Sequence, residues 1–530
     1  MLWRVVRSLV VSVVVAAVAV VPGGGGAVAA GNAGSDCVVS PATPKYQMRA
    51  MWIASVVNID WPSAPGKPER EVKAEYDGWL DLAVANGFNA VIVQVRPHAD
   101  AFWPSAYEPW SQYLTGVAGQ DPGWDPLEYL VRKAHERNLE FHAWFNPYRA
   151  SMPAPGGAGT DLSNLPANSP LVEHPEWAVP YPVGNAAGRL YFDPGIPEAR
   201  AWVQDAIMDA VTRYDVDGVH FDDYFYPYPA AGQDFGDEAT FARYGGGFQS
   251  KADWRRHNID LLIQEMDQRV HAVKPWVRFG VSPFGIWRNQ AADPLGSETN
   301  GTQSYDANFA DTRKWVKEGW IDYIVPQVYW NIGFAVADYA KLVPWWAGVV
   351  AGTDVQLYIG QADYKVAAAG QPPAWFEPGE LSSHLTFNRQ YPQVRGDVHF
   401  SAVQVRADRL GAETLLTAEH RSRPAFPPSW GPATPMLFPV VTHAKRTAAG
   451  AELRWRALSD QSTSFGVYRF DGVTIPRGCD LADAAHLVAT VRGTAYTDPT
   501  AEPGRRYTYV VTALDRRWHE SPPSPPRFII

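Results

Sequence analysis

Eight short apolar runs alternate with amphipathic helical stretches between about residues 48 and 402, and this alternation constrains the fold more than any other feature. Runs that are apolar throughout are typical of parallel strands covered on both faces. Eight such strands with intervening helices close naturally into a (β/α)8 barrel. We therefore predict an α/β fold with a TIM barrel over residues 47–422 and strands at Met48–Val56, Ala90–Val95, Leu139–Trp144, Gly218–Phe221, Arg278–Ser282, Tyr323–Pro326, Gln356–Ile359 and Val398–Ser401.

The segments between these strands are of two kinds. Most show helical periodicity, which predicts helices that cover the outside of the barrel. One segment, Ser151–Arg189, is rich in proline and glycine and follows the third strand, so we predict a long loop over the barrel mouth. The predicted helices include Glu69–Asn86, Asp125–Arg137, Glu198–Tyr214, Lys251–Val273 and Ala307–Glu318.

The N-terminus has the layout of a secretory signal. Arg4 and Arg7 precede an apolar run at Leu9–Val21, and Ala27-Val28-Ala29 fits a cleavage site. The apolar run is short for a membrane span. We predict a signal peptide at 1–29, a linker at 30–46, and a secreted, extracellular or cell-envelope protein without stable membrane insertion after cleavage.

The C-terminal part of the chain changes character. Prolines cluster at 423–435, which predicts a linker, and residues 436–530 show the alternating pattern of antiparallel strands. We predict a small all-β sandwich that resembles a fibronectin type III module, with Trp455, Tyr468 and either Tyr507 or Tyr509 in its core. The two cysteines, Cys37 and Cys479, can pair only if the fold brings them together.

Composition excludes some classes of partner and favours another. The net charge of -10 argues against a nucleic-acid partner, because phosphates would be repelled. The 22 Trp, 24 Tyr and 22 Phe residues favour carbohydrate, whose ring faces stack on aromatic side chains. Cysteines and histidines show no metal-ligand spacing, so we predict no metal and no cofactor.

The segment Asp217–Pro227 carries the strongest chemical signal. It reads as a buried strand that ends in Asp222 and Asp223 and continues into aromatic residues. Because side chains alternate along a strand, Asp222 should face the barrel axis if Val219 and Phe221 face the helices. Two carboxyl groups are the usual requirement of glycoside hydrolysis. We predict Asp222 and Asp223 as catalytic, with Asp222 as nucleophile or primary carboxylate; a Ca²⁺ or Mg²⁺ site is the alternative.

Polar and aromatic side chains recur after strand upon strand, at the end where barrel enzymes build their sites. We expect them to bind substrate through hydrogen bonds, ionic contacts and ring stacking. Arg96 has a second interpretation, an internal ion pair with Asp222 or Asp60. The predicted substrate-binding residues are Asp60, Trp61, Arg96, His98, Asn146, Tyr148, His220, Tyr224, Trp287, Arg288, Gln327, Tyr329 and Trp330.

The strand-end phrases also resemble a known family. MRAMWIASVVNIDWP, DGVHFDDYFYPYP, VRFGVSPFGIWRN and GWIDYIVPQVYW are similar to glycosyl-hydrolase-like family ten, the former domain of unknown function 187 group. The resemblance covers residues from about 46 to 402. It implies a barrel of the α-amylase type and cleavage of peptidoglycan glycan strands that have lost their stem peptides.

Several alternatives remain open at this stage. The second catalytic carboxylate can be Asp223, Asp60, Glu298 or Asp306. The polymer can be another extracellular polysaccharide, and the barrel can be a glycan-binding protein without catalysis or a metal-dependent hydrolase.

Overall fold

The computed structural model describes residues 37–530, so the predicted signal peptide at 1–29 lies outside the described residues. Ten strands precede residue 400. They are β1 (Met48–Ile53), β2 (Ala90–Arg96), β3 (Glu140–Phe145), β4 (Ala178–Tyr181), β5 (Arg189–Phe192), β6 (Gly218–Phe221), β7 (Arg278–Val281), β8 (Tyr323–Ile324), β9 (Gln356–Gln361) and β10 (Val394–His399).

Eight of these strands close into a parallel barrel in the order β1-β10-β9-β8-β7-β6-β3-β2. The predicted TIM barrel is therefore confirmed, and each predicted strand overlaps an observed one. The largest difference is at the last strand, which begins at Val394 rather than Val398. The two remaining strands, β4 and β5, pair as an antiparallel hairpin; β4 lies inside the segment predicted as a loop, and β5 begins at its last residue.

Thirteen α-helices are present in residues 37–530, and most cover the outside of the barrel. The predicted helix Ala307–Glu318 is wrong as a single element, because two short helices replace it and Phe309 between them has a φ of 53°. The helices are α1 (Glu69–Ala85), α2 (Gln112–Thr115), α3 (Pro126–Glu136), α4 (Pro170–Glu173), α5 (Pro197–Arg213), α6 (Glu238–Tyr244), α7 (Lys251–Val273), α8 (Ser304–Ala307), α9 (Thr312–Glu318), α10 (Tyr339–Val350), α11 (Glu380–Asn388), α12 (Ala402–Ala407) and α13 (Ala412–His420).

Two separate apolar layers follow from the alternation along each barrel strand. On β6, Val219 and Phe221 point outward into the large core between barrel and helices. On β1, Ala50 and Trp52 point inward and belong to a smaller core that fills the barrel. The layer between the barrel and the helices is the larger of the two. Both faces of each barrel strand are therefore covered.

The C-terminal part forms two antiparallel sheets, one of three strands and one of four. Trp455, Tyr507 and Tyr509 lie in the core between them, as predicted, whereas Tyr468 packs with Phe426 and Trp518 in a second cluster. The strands are β11 (Val440–Thr447), β12 (Gly450–Arg456), β13 (Ser464–Asp471), β14 (Leu487–Val491), β15 (Ala495–Asp498), β16 (Tyr507–Leu514) and β17 (Arg527–Ile529).

The sandwich packs against the end of the barrel where the strands begin. Trp518 donates its indole N–H to Glu140 at the start of β3, and Ser464 donates to Asn138 at 2.7 Å. Cys37 and Cys479 form a disulfide that ties the N-terminal segment to the sandwich. The opposite end of the barrel, where the strands finish, stays free for a site. No helix within residues 37–530 has both the length and the apolar character needed to cross a bilayer.

Candidate active site

The catalytic candidates lie where β6 ends at the open mouth of the barrel. Val219 and Phe221 point into the helix layer with no exposed surface, so His220 and Asp222 point toward the barrel axis. Asp223 is the second residue beyond the strand and is only 6% exposed, while Asp222 is 4% exposed. Two adjacent carboxyl groups are therefore withdrawn from water together at the strand end.

Hydrogen bonds distinguish the two carboxyl groups. Asp222 accepts from the side-chain nitrogen of Asn146 and from the backbone N–H of Tyr224 at 3.1 Å. Asp223 accepts from the hydroxyl of Tyr228. Asp222 therefore has donors on both of its oxygens, and the described residues give Asp223 one side-chain donor within hydrogen-bond distance.

The local charges separate their protonation behaviour as well. Burial raises the pKa of Asp222, while the charge of Arg149 and the donors from Tyr224 and Asn146 act to lower it. Burial and the neighbouring charge of Asp222 raise the pKa of Asp223 to about 7. Burial thus raises the pKa of both carboxyl groups, and their mutual repulsion favours a single proton on Asp223 next to an ionised Asp222.

A cavity of about 230 Å³ opens directly over this pair. Five of the residues predicted for the site line it, namely Asp222, Asp223, Tyr224, Gln327 and Tyr329. Prediction from sequence missed the others that carry polar or aromatic side chains, which are Trp52, Gln94, Trp144, Arg149, Tyr228, Ser282, Tyr364 and Phe400.

The missed residues had a detectable signal. Trp52 and Trp144 each occupy the inward-facing position one residue before the end of β1 and β3, where alternation places them in the barrel. Tyr364 and Phe400 follow β9 and β10, so the rule that strand ends build the site applies to them too.

Arg149 is the one cation that lines the cavity among the described residues. Its Nε and Nη2 donate to the carbonyl oxygen of Pro97 at 3.0 and 2.8 Å, which fixes the guanidinium. The ring of Tyr224 lies 4.7 Å from its central carbon. Tyr224 in turn stacks on Tyr228, with ring centroids 5.0 Å apart. A positive charge and an aromatic pair therefore flank the two carboxyl groups.

Two predicted residues lie directly behind the cavity wall. Asn146 is fully buried and reaches the cavity only through its hydrogen bond to Asp222. His220 is also fully buried and contacts Ser282 and Trp52, which line the cavity. Both act on the site through the side chains they hold.

Two further predicted residues lie outside the cavity, and their side chains have internal partners. Trp61 is buried in the helix layer, where its indole N–H donates to the carbonyl of Val72 at 2.8 Å. Arg96 forms an ion pair with Glu108 in which neither side chain is exposed. Arg96 therefore forms an internal ion pair, as the second interpretation of the sequence held, but its partner is Glu108 and not Asp222 or Asp60.

His98 and Tyr148 also lie outside the cavity. His98 contacts Asp100 at 3.3 Å and lines a separate space under the segment that follows β3. Burial lowers its pKa to about 3, so the imidazole is neutral. Tyr148 is fully buried in the helix layer, and burial raises its pKa.

Three predicted residues that follow β7 and β8 also lie outside the cavity. Trp287 is buried and donates to Asp311 at 2.9 Å. Arg288 is committed to ion pairs with Asp293 and Asp306, at 2.9 and 3.1 Å. Trp330 packs against the backbone at Gly285 and is not part of the cavity lining.

The alternatives for the second carboxylate are placed elsewhere. Asp60 accepts from the backbone N–H groups of Ala54 and Val403, at 2.7 and 2.9 Å, and fixes the loop after β1. Glu298 forms a surface ion pair with Lys341. With Asp306 held by Arg288, Asp222 and Asp223 are the carboxyl groups that the described structure brings to the cavity.

A larger cavity, about 1150 Å³, lies at the opposite end of the barrel against the sandwich. Its acidic residues Asp267 and Asp322 hold His271 in ion pairs, both at 3.1 Å. Barrel enzymes build their sites where the strands end, and this cavity lies where they begin. We therefore assign the chemistry to the smaller cavity over Asp222.

A buried cluster near the mouth has the ligand types of a metal site, Asp363, His399 and Glu413. Burial by itself lowers the pKa of His399, but Asp363 and Asp397 outweigh it and hold the pKa at about 10. Arg421 adds a second positive charge, 3.0 Å from Asp397. Asp363, Asp397 and Glu413 thus form an internal ion-pair network with His399 and Arg421.

Comparison with known proteins gives consistent matches. The model of the family Glycosyl hydrolase-like 10 matches residues 47–377. Glycosyl hydrolase YngK of Bacillus subtilis (strain 168) is 46% identical over 488 residues, which are 90% of this chain and 92% of that protein. Glycosyl hydrolase DigH of Escherichia coli (strain K12) is 41% identical over 385 residues, which are 69% of this chain and 86% of that protein.

Solved structures are more distant. An Fn3-like protein from Clostridium thermocellum is 26% identical and aligns over 18% of this chain and 94% of its own length, with a TM-score of 0.16. Alpha-L-fucosidase isoenzyme 2 from Paenibacillus thiaminolyticus is 14% identical and aligns over 71% of this chain and 49% of its own, with a TM-score of 0.43.

Proposed function

The chain belongs to the glycosyl hydrolase-like 10 family, and we propose that it cleaves glycosidic bonds in peptidoglycan glycan strands that have lost their stem peptides. One observation carries this proposal: Asp222 and Asp223 share a cavity with Arg149, whose charge offsets part of the effect of burial on Asp222, while burial and the charge of Asp222 raise the pKa of Asp223. Membership of the family supports hydrolysis of a glycosidic bond as the reaction. The residues that line the cavity support the proposed mechanism and substrate.

In the proposed mechanism Asp223 is the general acid. With a pKa of about 7 it is half protonated at neutral pH and can give a proton to the oxygen of the leaving sugar. Departure of that sugar leaves positive charge on the anomeric carbon, which an ionised carboxylate stabilises, and water then adds to that carbon and gives a proton back to Asp223. Asp222 has this role, because Arg149 and two hydrogen-bond donors favour its ionised form.

Arg149 supports a substrate with a free carboxylate. Removing a stem peptide from muramic acid exposes the carboxylate of its lactyl group, which carries a negative charge. A guanidinium fixed on the Pro97 carbonyl keeps its remaining N–H groups available for that carboxylate. With the peptide attached, the same carbon is part of a neutral amide, and the ionic contact is lost.

Aromatic side chains support a sugar ring at this position. Tyr224 and Tyr228 form a stacked pair next to the carboxyl groups, and Trp52, Trp144 and Phe400 line the cavity. Such rings offer apolar faces to the C–H groups of a sugar while hydroxyl and indole groups supply hydrogen bonds. The cavity therefore combines stacking faces, one cation and two carboxyl groups.

We also propose that the protein acts outside the cytoplasmic membrane. The signal-like N-terminus is the main support. The Cys37–Cys479 disulfide is a second support, because disulfides persist mainly in oxidising compartments. The substrate proposed here is found in the same place.

The test is a digest of purified glycan strands, with and without stem peptides, read by mass spectrometry. We expect saccharide products from the bare strands with the wild type. Asp222→Asn and Asp223→Asn should each lower the rate by about 10²- to 10⁴-fold, as expected for removing a catalytic acid or base. Asp306→Asn, which changes a surface carboxylate paired with Arg288, is the matched control and should keep full activity.

Arg149→Gln tests the choice of substrate. We expect this variant to lose its preference for bare strands over peptide-bearing strands. Equal cleavage of both strands by the wild type, or an unchanged preference in Arg149→Gln, contradicts the role of Arg149. Products from another polysaccharide alone contradict the peptidoglycan assignment and leave the mechanism to be tested there.

A further inference from the structure

A chain of buried polar side chains runs along the inside of the barrel from the sandwich to the catalytic cavity. It begins with Trp518 and Glu140 and continues through His142, Tyr323 and His220. None of these side chains is more than 6% exposed. At its upper end His220 contacts Trp52 and Ser282, which line the cavity.

The direction of every hydrogen bond in this chain is fixed by its two ends. The indole N–H of Trp52 can only donate, so Nε2 of His220, 3.2 Å away, must accept. Burial lowers the pKa of His220, which keeps the ring neutral and places its one hydrogen on Nδ1. That hydrogen points to the hydroxyl oxygen of Tyr323 at 3.1 Å.

The other end leads to the same direction. The hydroxyl of Tyr323 accepts from His220, so its own hydrogen goes to Nδ1 of His142 at 2.8 Å. His142 then has its hydrogen on Nε2 and donates to the carboxylate of Glu140 at 3.1 Å. A carboxylate can only accept, and Glu140 also receives the indole N–H of Trp518.

The barrel strands are shaped to hold this chain. A side-chain carbon at Gly218 would come within 2.4 Å of the ring of His142. One at Gly280 would come within 2.3 Å of the ring of Tyr323. Both positions therefore need glycine, because any side chain would collide with the ring of His142 or of Tyr323.

We infer that His220 is a positioning residue that holds the hydroxyl of Ser282 for contact with the sugar beside Asp222. Ser282 Oγ has Nε2 of His220 as its hydrogen-bond partner among the described residues, at 3.1 Å. That nitrogen accepts through one lone pair, which Ser282 shares with the indole N–H of Trp52, so Ser282 turns its hydrogen toward it and its own lone pairs toward the cavity. An incoming N–H or O–H of the substrate meets an acceptor there. This inference rests on the proposed function for the identity of the ligand as a sugar.

The hydrogen positions can be measured without substrate. In the full-length protein with ¹⁵N-labelled histidine, we expect NMR to show a neutral His220 with its hydrogen on Nδ1. Tyr323→Phe removes the acceptor for that hydrogen, so we expect a shift toward the Nε2–H form. Tyr358→Phe is the matched control, since Tyr358 is equally buried inside the barrel and bonds instead to Arg278 at 3.1 Å. A wild-type His220 with hydrogen on Nε2 overturns the inference.

A double-mutant cycle tests whether Tyr323 acts through Ser282. We expect Ser282→Ala to lower kcat/KM about 3- to 10-fold, as for one neutral hydrogen bond. Tyr323→Phe should cause a similar loss, and the double variant should lose no more than either single change. Additive losses, or an equal loss in Tyr358→Phe, contradict the inference.

The inference can be tested separately if the protein proves not to be a glycan hydrolase. If the wild type cleaves no glycan, the same cycle is measured on glycan affinity by calorimetry, and the NMR result is unaffected. Non-additive losses of affinity then support the contact with Ser282, while unchanged affinity in Ser282→Ala rules it out.

Discussion

The side-chain nitrogen of Asn146 donates to Oδ2 of Asp222, and this contact joins the ends of two adjacent barrel strands, β3 and β6. The orientation of the Asn146 amide is set from behind, because Gln94 donates to its oxygen at 2.7 Å. The oxygen of Gln94 is itself occupied by the backbone N–H groups of Ser55 and Val56, at 3.0 and 2.8 Å. The loop after β1 thereby determines which atom Asn146 presents to Asp222.

Removing this donor should change how Asp222 titrates. Asn146 lowers the pKa of Asp222, so we expect Asn146→Ala to raise it. The acid side of the kcat/KM profile, where Asp222 becomes protonated and inactive, should then move to higher pH. Activity should fall more at pH 5 than at pH 7. An equal loss at both pH values would mean that Asn146 serves only the packing of the site.

The alkaline side of the same profile should report on Asp223. With a pKa of about 7 in the free enzyme, we expect kcat/KM to fall as the pH rises above about 7, because the general acid loses its proton. The hydroxyl of Tyr228 stabilises the ionised form of Asp223. Tyr228→Phe should therefore raise the pKa and move this limb to higher pH. A limb that stays in place or moves to lower pH contradicts the assignment of Asp223 as the acid.

Burial of Asp223 beside Asp222 should cost the protein stability as the pH rises. The folded pKa of Asp223 is about 7, above the value near 3.9 of an exposed aspartate. The folded state thus binds this proton more tightly than the unfolded state, and stability is lost as the pH rises from about 4 through about 7.

Asp223→Asn removes this titration, so we expect it to raise Tm relative to the wild type at pH 8 more than at pH 4. Differential scanning calorimetry at the two pH values measures the effect. Asp306→Asn, on the surface, serves as the control and should show no such dependence. An equal change in Tm at both pH values would show that the folded state does not raise the pKa of Asp223.

Arg96 should matter for stability rather than for substrate. Its guanidinium and the carboxylate of Glu108 are both completely buried, and it also donates to the carbonyl of Pro147 at 3.0 Å. Arg96→Met leaves a buried negative charge, which costs about 3–5 kcal/mol of unfolding free energy. The double variant Arg96→Met/Glu108→Leu should recover most of that loss. Denaturant unfolding measures both, and a raised KM with unchanged stability would restore Arg96 to the site.

The position of Asp222 was predictable because alternation along a strand is a local property. Once Val219 and Phe221 are assigned to the helix layer, Asp222 has to face the axis at the strand end. Arg149 shows where such reasoning stops. Arg149 lies four residues beyond the end of β3, and Tyr148 lies three residues beyond it. No periodicity predicts which of the two side chains turns into the cavity.

Arg96 and Trp61 show that sequence reasoning also selects residues that lie outside the site. Both follow or end a strand, as substrate-binding residues do, but Arg96 finds Glu108 and Trp61 finds the carbonyl of Val72. These partners lie 12 and 11 residues away along the chain, and each contact forms only when the loops have folded back on the barrel. A polar residue at a strand end therefore does not ensure a place in the site.

The sequence by itself determined the eight-stranded barrel, the antiparallel strands of the C-terminal part and the end of the barrel that carries Asp222 and Asp223. These follow from the spacing of apolar residues, which acts over a few residues at a time. Only the tertiary structure decided that Arg149 faces Asp222, that Cys37 meets Cys479, and that His220 is hydrogen-bonded through to the sandwich. Those contacts join residues far apart in the chain, and their geometry exists only after the barrel has closed and the sandwich has packed against it.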